Sequence, residues 1–185
     1  MKIAIRIKTF ETNSSSSHSL TWGGGSYSWP CNMDIPDYPQ EDDYPSWEEW
    51  YDDYIKYKEV VAAAIPVSSA PFWVEETTWK KTASGEDWPM TTYTLEPDVF
   101  NKLTALIWLV KERAGMFEIE RWASRISAMF GGIDVSELFD KVKYWDGQYI
   151  EAKDAAEILN ALQDDETLAH FLFDPESTIL ARFAG

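Results

Sequence analysis

The sequence predicts an α+β fold, a small and mostly antiparallel sheet with about five helices packed on one side. Three observations predict it. Ile3, Ile5 and Ile7 alternate with Lys2, Ala4, Arg6 and Lys8, the period of two that marks a half-buried strand. Two runs rich in β-branched and aromatic residues, 72–82 and 90–95, flank the turn-forming Ala83-Ser84-Gly85-Glu86-Asp87 and predict a hairpin. From residue 97 to residue 173, apolar residues recur every three or four positions between Gly, Pro and Asp punctuation, which predicts a succession of helices.

Each element follows from local chemistry. After the first strand come Thr12, Asn13 and four serines, whose side chains bond nearby backbone and compete with sheet pairing, so a polar loop is expected. Ser19–Trp22 resumes a strand that Gly23–Gly25 ends. Residues 23–45 carry Pro30, Pro36, Pro39 and Pro45 among tyrosines and acids, an irregular segment within one domain spanning 1–185. Ser46-Trp47-Glu48-Glu49 reads as a capping box, opening a helix to about Ala64 that Pro66 stops. Trp47, Trp50, Tyr51, Tyr54, Ile55, Lys58 and Val61 share one face of that helix, with Glu48, Glu49, Asp52 and Asp53 on the other.

Pro97 takes the first position of a core helix closed by Gly115. Further helices are expected over Met116–Phe130, from a second capping box at Asp134–Glu137 towards Tyr144, and over Glu151–Leu162. Thr167–Phe173 adds a turn or two. Ile179, Ala181 and Phe183 alternate, so Ser177–Phe183 is expected to be a strand paired with the N-terminal one.

Charge excludes several functions. The formal net charge is −16, and a surface of that sign repels phosphate, which argues against direct nucleic-acid binding. Cys31 is the only cysteine and His18 and His170 the only histidines, so neither a disulfide framework nor a Cys/His metal site is expected, and no cofactor is implied. No run is long and apolar enough to span a membrane, and residues 1–20 lack an apolar signal-peptide core. Cytoplasmic residence without membrane contact is the expectation, the host cytoplasm for a phage-encoded chain.

The segment Arg6-Ile-Lys-Thr-Phe10-Glu-Thr-Asn-Ser-Ser-Ser-Ser-His18-Ser19 resembles the signature Arg-x-x-x-Phe-Glu-Thr-Asn-Ser-Ser-Ser-x-His-Ser of small uncharacterised phage and bacterial proteins. Phe173-Asp174-Pro175-Glu176-Ser177 is similar to a second part of that pattern. The resemblance implies a phage or prophage origin and no particular activity.

Two functional readings follow. In the first, an acidic tract meets a basic partner protein. Between Lys8 and Lys56 there is no Lys or Arg, while Asp34, Asp37, Glu41, Asp42, Asp43, Glu48, Glu49, Asp52 and Asp53 accumulate among aromatic residues including Trp50. Carboxylates on a loop and one helix face imitate a nucleic-acid backbone, and rings such as Trp50 supply anchors for an interface. The partner is then a host nucleic-acid-handling or defence protein, inhibited by occupation of its basic surface. The plainer alternative is that the acids confer solubility and the rings are core.

In the second reading, the chain is a nucleotide- or phosphate-binding enzyme. Thr12, Asn13, Ser14, Ser15 and Ser16 line a hydroxyl-rich anion site, with Ser17 as nucleophile, His18 as base and Arg6 holding the anion. Neighbouring residues of an extended chain point to opposite sides, which keeps Ser17 and His18 from acting as a simple dyad. Whether the chain is an enzyme is left open by these residues alone.

Overall fold

The computed structural model describes residues 4–5, 16–21, 35–113, 115–130, 132–143 and 152–184. Within them, five strands form one antiparallel sheet in the order β1-β2-β5-β4-β3. The strands are β1 (Ala4–Ile5), β2 (Ser16–Thr21), β3 (Trp73–Lys81), β4 (Asp87–Leu95) and β5 (Thr178–Ala184). Six helices accompany them: α1 (Trp47–Ala64), α2 (Val99–Arg113), α3 (Met116–Met129), α4 (Ser136–Lys141), α5 (Ala152–Ala161) and α6 (Asp165–Phe173). The fold is therefore the α+β class the sequence predicts, with one helix more than expected. The extra helix is α6, where Asp164 accepts the Thr167 backbone N–H at 2.8 Å and caps a full nine-residue helix.

Two differences from the sequence reading shape the sheet and the core helix. The serine run is not wholly a loop, because Ser16 and Ser17 open β2. Six consecutive residues pair with β5, from Ser16 opposite Phe183 to Thr21 opposite Thr178, and a continuous ladder outweighs local side-chain capping. In consequence β5 lies between β2 and β4, and among the described residues β1 pairs with β2 alone. Pro97 also stands outside its helix. Asp98 Oδ1 accepts the N–H groups of Phe100 and Asn101 at 2.9 and 3.1 Å, so Asp98 is the capping residue.

The sheet buries one face. Leu95, Ile179 and Ala181 have no exposed surface, and Trp73, opposite Leu95, tilts against Trp108 of α2 with ring centres 6.4 Å apart. Every residue of α2 from Asn101 to Val110 is buried, which makes it the axis around which α3, α4, α5 and α6 pack. Each large side chain there contributes roughly 1.5–3 kcal/mol by leaving water.

The β3–β4 ribbon is exposed along β3 and around its turn. Its turn closes through Thr82 N–H to Glu86 O at 2.8 Å and Gly85 N–H to Thr82 O at 2.9 Å. Gly85 has φ +87°, a conformation that favours glycine.

Candidate functional site

The acidic tract is shaped by the way residues 35–46 dock on α1. Tyr38 meets Tyr54 and Tyr57 edge-on, with ring centres 5.8 and 5.4 Å away. Trp50 stacks on Tyr54 at 5.0 Å and donates its indole N–H to the Pro39 carbonyl at 3.1 Å. Tyr44 donates its hydroxyl to Asp53 Oδ2 at 3.2 Å. These contacts hold the chain against the helix and deliver the 3₁₀ turn Glu41–Asp43 beside its N-terminus, with all three carboxylates exposed.

The helix begins where Ser46 Oγ accepts the Glu49 N–H at 3.3 Å, the first half of the expected capping box. Glu48 and Glu49 then occupy the first turn, where the positive end of the helix dipole favours acids. At 100° per residue, Glu48, Glu49, Asp52 and Glu59 fall on one side, opposite the buried Tyr57 and Val61. Asp53 stands at the margin of this face. It accepts Lys56 Nζ at 2.7 Å, and that hydrogen bond together with the Lys56 charge holds its carboxyl below the ordinary carboxylate range. Among the described residues, Asp53 is the only acid of the tract in an ion pair. Glu41, Asp42, Asp43, Glu48, Glu49 and Asp52 are exposed and form no ion pair among the described residues, with Asp52 near enough to Lys56 to feel its charge.

The aromatic residues divide in a way that periodicity does not reveal. Trp50, Tyr54 and Tyr57 point inward and serve the fold. Trp47 and Tyr51 stack on each other at 4.8 Å and remain 56% and 41% exposed, a flat aromatic platform on the helix surface. Of the two tryptophans, Trp47 is therefore the more available anchor, and Trp50 acts by fixing residues 38–40.

Below the platform, α1 is clamped to the segment before α4. Tyr54 donates to Asp134 Oδ2 at 2.9 Å; burial first, and then the Asp134 carboxylate, push its phenol up to about 12. Asp134 Oδ1 accepts the Ser136 N–H at 2.9 Å, and its own N–H reaches the Tyr57 oxygen at 3.1 Å. Burial opposes ionisation of Asp134, but these hydrogen bonds prevail and keep its carboxyl below the usual range. Glu137 pairs with Lys58 across the two elements. Asp134 and Glu137 thus form a clamp instead of the expected capping box, and α4 ends at Lys141.

An open groove of about 550 Å³ lies alongside, lined by Tyr38, Gln40, Glu120, Ser124, Ser127 and Asp134. Ala123 and Gly132 also line it, and its polar side chains are acidic, hydroxylic or amide. They suit a cationic or neutral polar group, not a phosphate.

The second set of sequence candidates is only partly placed. Arg6, Thr12, Asn13, Ser14 and Ser15, and Asp34 of the acidic tract, lie outside the described residues. Ser16, Ser17 and His18 occupy consecutive positions of β2, opposite Phe183, Arg182 and Ala181. They are strand residues and not part of a loop, and adjacent strand positions alternate between the two sheet faces. Among the described residues, no three His, Cys, Asp or Glu side chains are grouped to hold a metal ion, and no helix is long and apolar enough to cross a membrane.

One residue with unusual chemistry escaped the sequence reading. Lys102 is 1% exposed, donates from Nζ to the Asp174 carbonyl at 2.7 Å and lies 5.9 Å from the Phe171 ring centre. Desolvation pulls its pKa from 10.5 to about 8, against the opposing pull of Asp174 and Asp98. Asp174 in turn closes the α6–β5 turn, its Oδ1 accepting the Glu176 N–H at 2.9 Å and its carbonyl the Ser177 N–H at 3.0 Å. The Phe173–Ser177 motif is thus a turn stapled to α2, with Phe173, Asp174 and Ser177 buried and Pro175 and Glu176 exposed. With no solvent access at Lys102, this arrangement is structural. The available signal was a lone lysine within an apolar helical stripe.

No protein-family model, curated protein or solved structure matches the chain, so the site is read from its own geometry.

Proposed function

We propose that the chain binds a basic surface on another protein through the acidic face of α1 and the 3₁₀ turn, and so displaces nucleic acid from that surface. The observation that carries this reading is the concentration of exposed carboxylates at Glu41–Asp43, Glu48, Glu49, Asp52 and Glu59, none in an ion pair among the described residues although Lys56 lies near Asp52, next to the exposed Trp47–Tyr51 stack. Glu48 to Glu59 covers roughly 17 Å of helix at 1.5 Å per residue. Its four exposed acids come to about one charge per 4 Å, close to the roughly 3.4 Å spacing along one DNA strand and well below the charge of the whole duplex, and the turn before them adds three more. Steering by such a patch accelerates association by roughly 10–10³-fold and makes it salt-sensitive. The aromatic stack supplies the rigid apolar contact that exposed charges lack.

The resemblance of Arg6–Ser19 to phage and bacterial proteins supports a more specific form of the proposal. In that form the chain is a phage-type accessory protein, and the target is a host nucleic-acid-handling or defence protein. The test is capture from host lysate by the immobilised chain, followed by a duplex-displacement assay on the captured protein. The discriminating variant is Glu41→Lys, Asp42→Lys, Asp52→Lys and Glu59→Lys combined. None of these four side chains makes a hydrogen bond or ion pair within the described chain, whereas Asp53 holds Tyr44 and Lys56. Loss of capture in the folded variant supports the reading, and undiminished capture refutes it.

A further inference from the structure

Among the described residues the outer edge of the sheet is exposed along almost the whole of one strand, and its sequence is self-complementary. β3 is the terminal strand of the sheet and is nine residues long. Apart from the half-buried Trp73, every residue of β3 is exposed, including Val74 at 58% and Trp79 at 67%. An edge of this length offers unpaired backbone groups to another strand, and proteins usually shorten, cover, bulge or charge such edges, so the pattern of the charges decides whether a second copy is repelled or matched.

The direction of those groups follows from the ribbon. Phe72 O accepts the Glu96 N–H and Thr82 N–H reaches Glu86 O, both in the register of the β3–β4 pair. The even-numbered residues therefore turn their backbone towards β4. By alternation, Glu75, Thr77, Trp79 and Lys81 turn theirs outward.

Charges along the strand are arranged as mirror images about Thr78: Glu75, Glu76, Thr77, Thr78, Trp79, Lys80, Lys81. All four charged side chains are exposed, and none joins an ion pair within the described chain.

We propose that β3 is a homodimerisation edge, pairing antiparallel with β3 of a second copy about a two-fold axis at Thr78 and joining the two sheets into one. Directly opposite positions of an antiparallel pair share a face, so under this symmetry the register moves only in steps that conserve parity. Centring on Thr77 places Glu76 against Thr78 and Glu75 against Trp79. Centring on Trp79 places Lys80 against Thr78. Only the Thr78 register sets Glu75 against the partner's Lys81 and Glu76 against the partner's Lys80, on both sides of the axis. It also makes the outward-turned pairs Glu75–Lys81 and Thr77–Trp79 the hydrogen-bonded ones. The two Trp79 rings become diagonal neighbours, about 7–8 Å apart and within reach of each other. This edge is separate from the acidic face of α1, so the proposal stands independently of the function proposed above.

The test is sedimentation velocity on the full chain from 2 to 200 µM, supported by circular dichroism of each variant. The wild type is expected to move towards twice its 21.3 kDa mass as concentration rises. Lys80→Glu with Lys81→Glu, and separately Glu75→Lys with Glu76→Lys, should each weaken self-association at least tenfold, because each sets like charges opposite one another. Mixing the two double variants should restore a dimer, now strictly heterotypic, and the fourfold charge swap within one chain should restore the homodimer. A wild type that stays monomeric at 200 µM overturns the proposal. So does a dimer insensitive to either double variant, or a mixture of folded variants that fails to reassociate.

Discussion

Lys102 allows a physical claim about the core to be tested by pH alone. Its ammonium is buried at the first turn of α2, where desolvation lowers its pKa from 10.5 to about 8 despite nearby Asp174 and Asp98. Between those two values the unfolded chain binds a proton that the folded chain does not. Stability from this residue must therefore rise with pH through that window, and the burden of the buried charge is fully present below pH 8. One pKa unit corresponds to about 1.4 kcal/mol, so the gain from pH 7 to pH 9.5 is about 2 kcal/mol. Stopping at pH 9.5 keeps most tyrosines protonated. Urea unfolding of the wild type and of Lys102→Met at several pH values provides the assay, because other titrating groups cancel in the difference. The wild type should gain about 2 kcal/mol on the variant across that range. Parallel curves would show that the ammonium is solvated, and the reasoning about this staple would be wrong.

Other expectations concern the elements that hold the acidic face in place. Ser46→Ala removes the acceptor for the Glu49 N–H and should cost about 1 kcal/mol in urea unfolding, with helix content otherwise retained. Tyr54→Phe takes a hydrogen bond from the partly buried Asp134 carboxylate and should cost about 1–2 kcal/mol, measured in the same way. Leu106→Ala, in the fully buried run of α2, should cost about 2–5 kcal/mol and lower the thermal midpoint by more than 5 °C or so.

Elements governed by local chemistry were legible in the sequence. Ser46, Pro66, Gly85 and the spacing of Val61, Leu103 and Leu106 located α1, the ribbon and α2 to within a few residues, because caps, turns and amphipathic periods act over short distances. Features set by distant partners were not. The serines at 16 and 17 look like loop residues until β5 supplies a ladder, and only the pairing partner decides the outcome. Asp134 looks like a cap until Tyr54, eighty residues earlier, competes for its carboxylate.

The candidate site divided in the same manner. The opposition of acids and rings on α1 followed from helical period. The separation of Trp47 and Tyr51 from Trp50 and Tyr54 depended on where Tyr38 and Pro39 dock. The sheet edge was legible in principle, since the charge symmetry around Thr78 is a property of the sequence. Recognising it required knowing that β3 lies at the edge.

The central claim is that carboxylates on the outer face of α1 compete with nucleic acid for a basic protein surface. The most direct measurement is the displacement of labelled duplex DNA from the captured partner by the wild-type chain, at about 50 and 200 mM salt. Displacement should weaken steeply with salt and be lost in the fourfold lysine variant at Glu41, Asp42, Asp52 and Glu59. Displacement that is unchanged by salt and retained by that folded variant would contradict it.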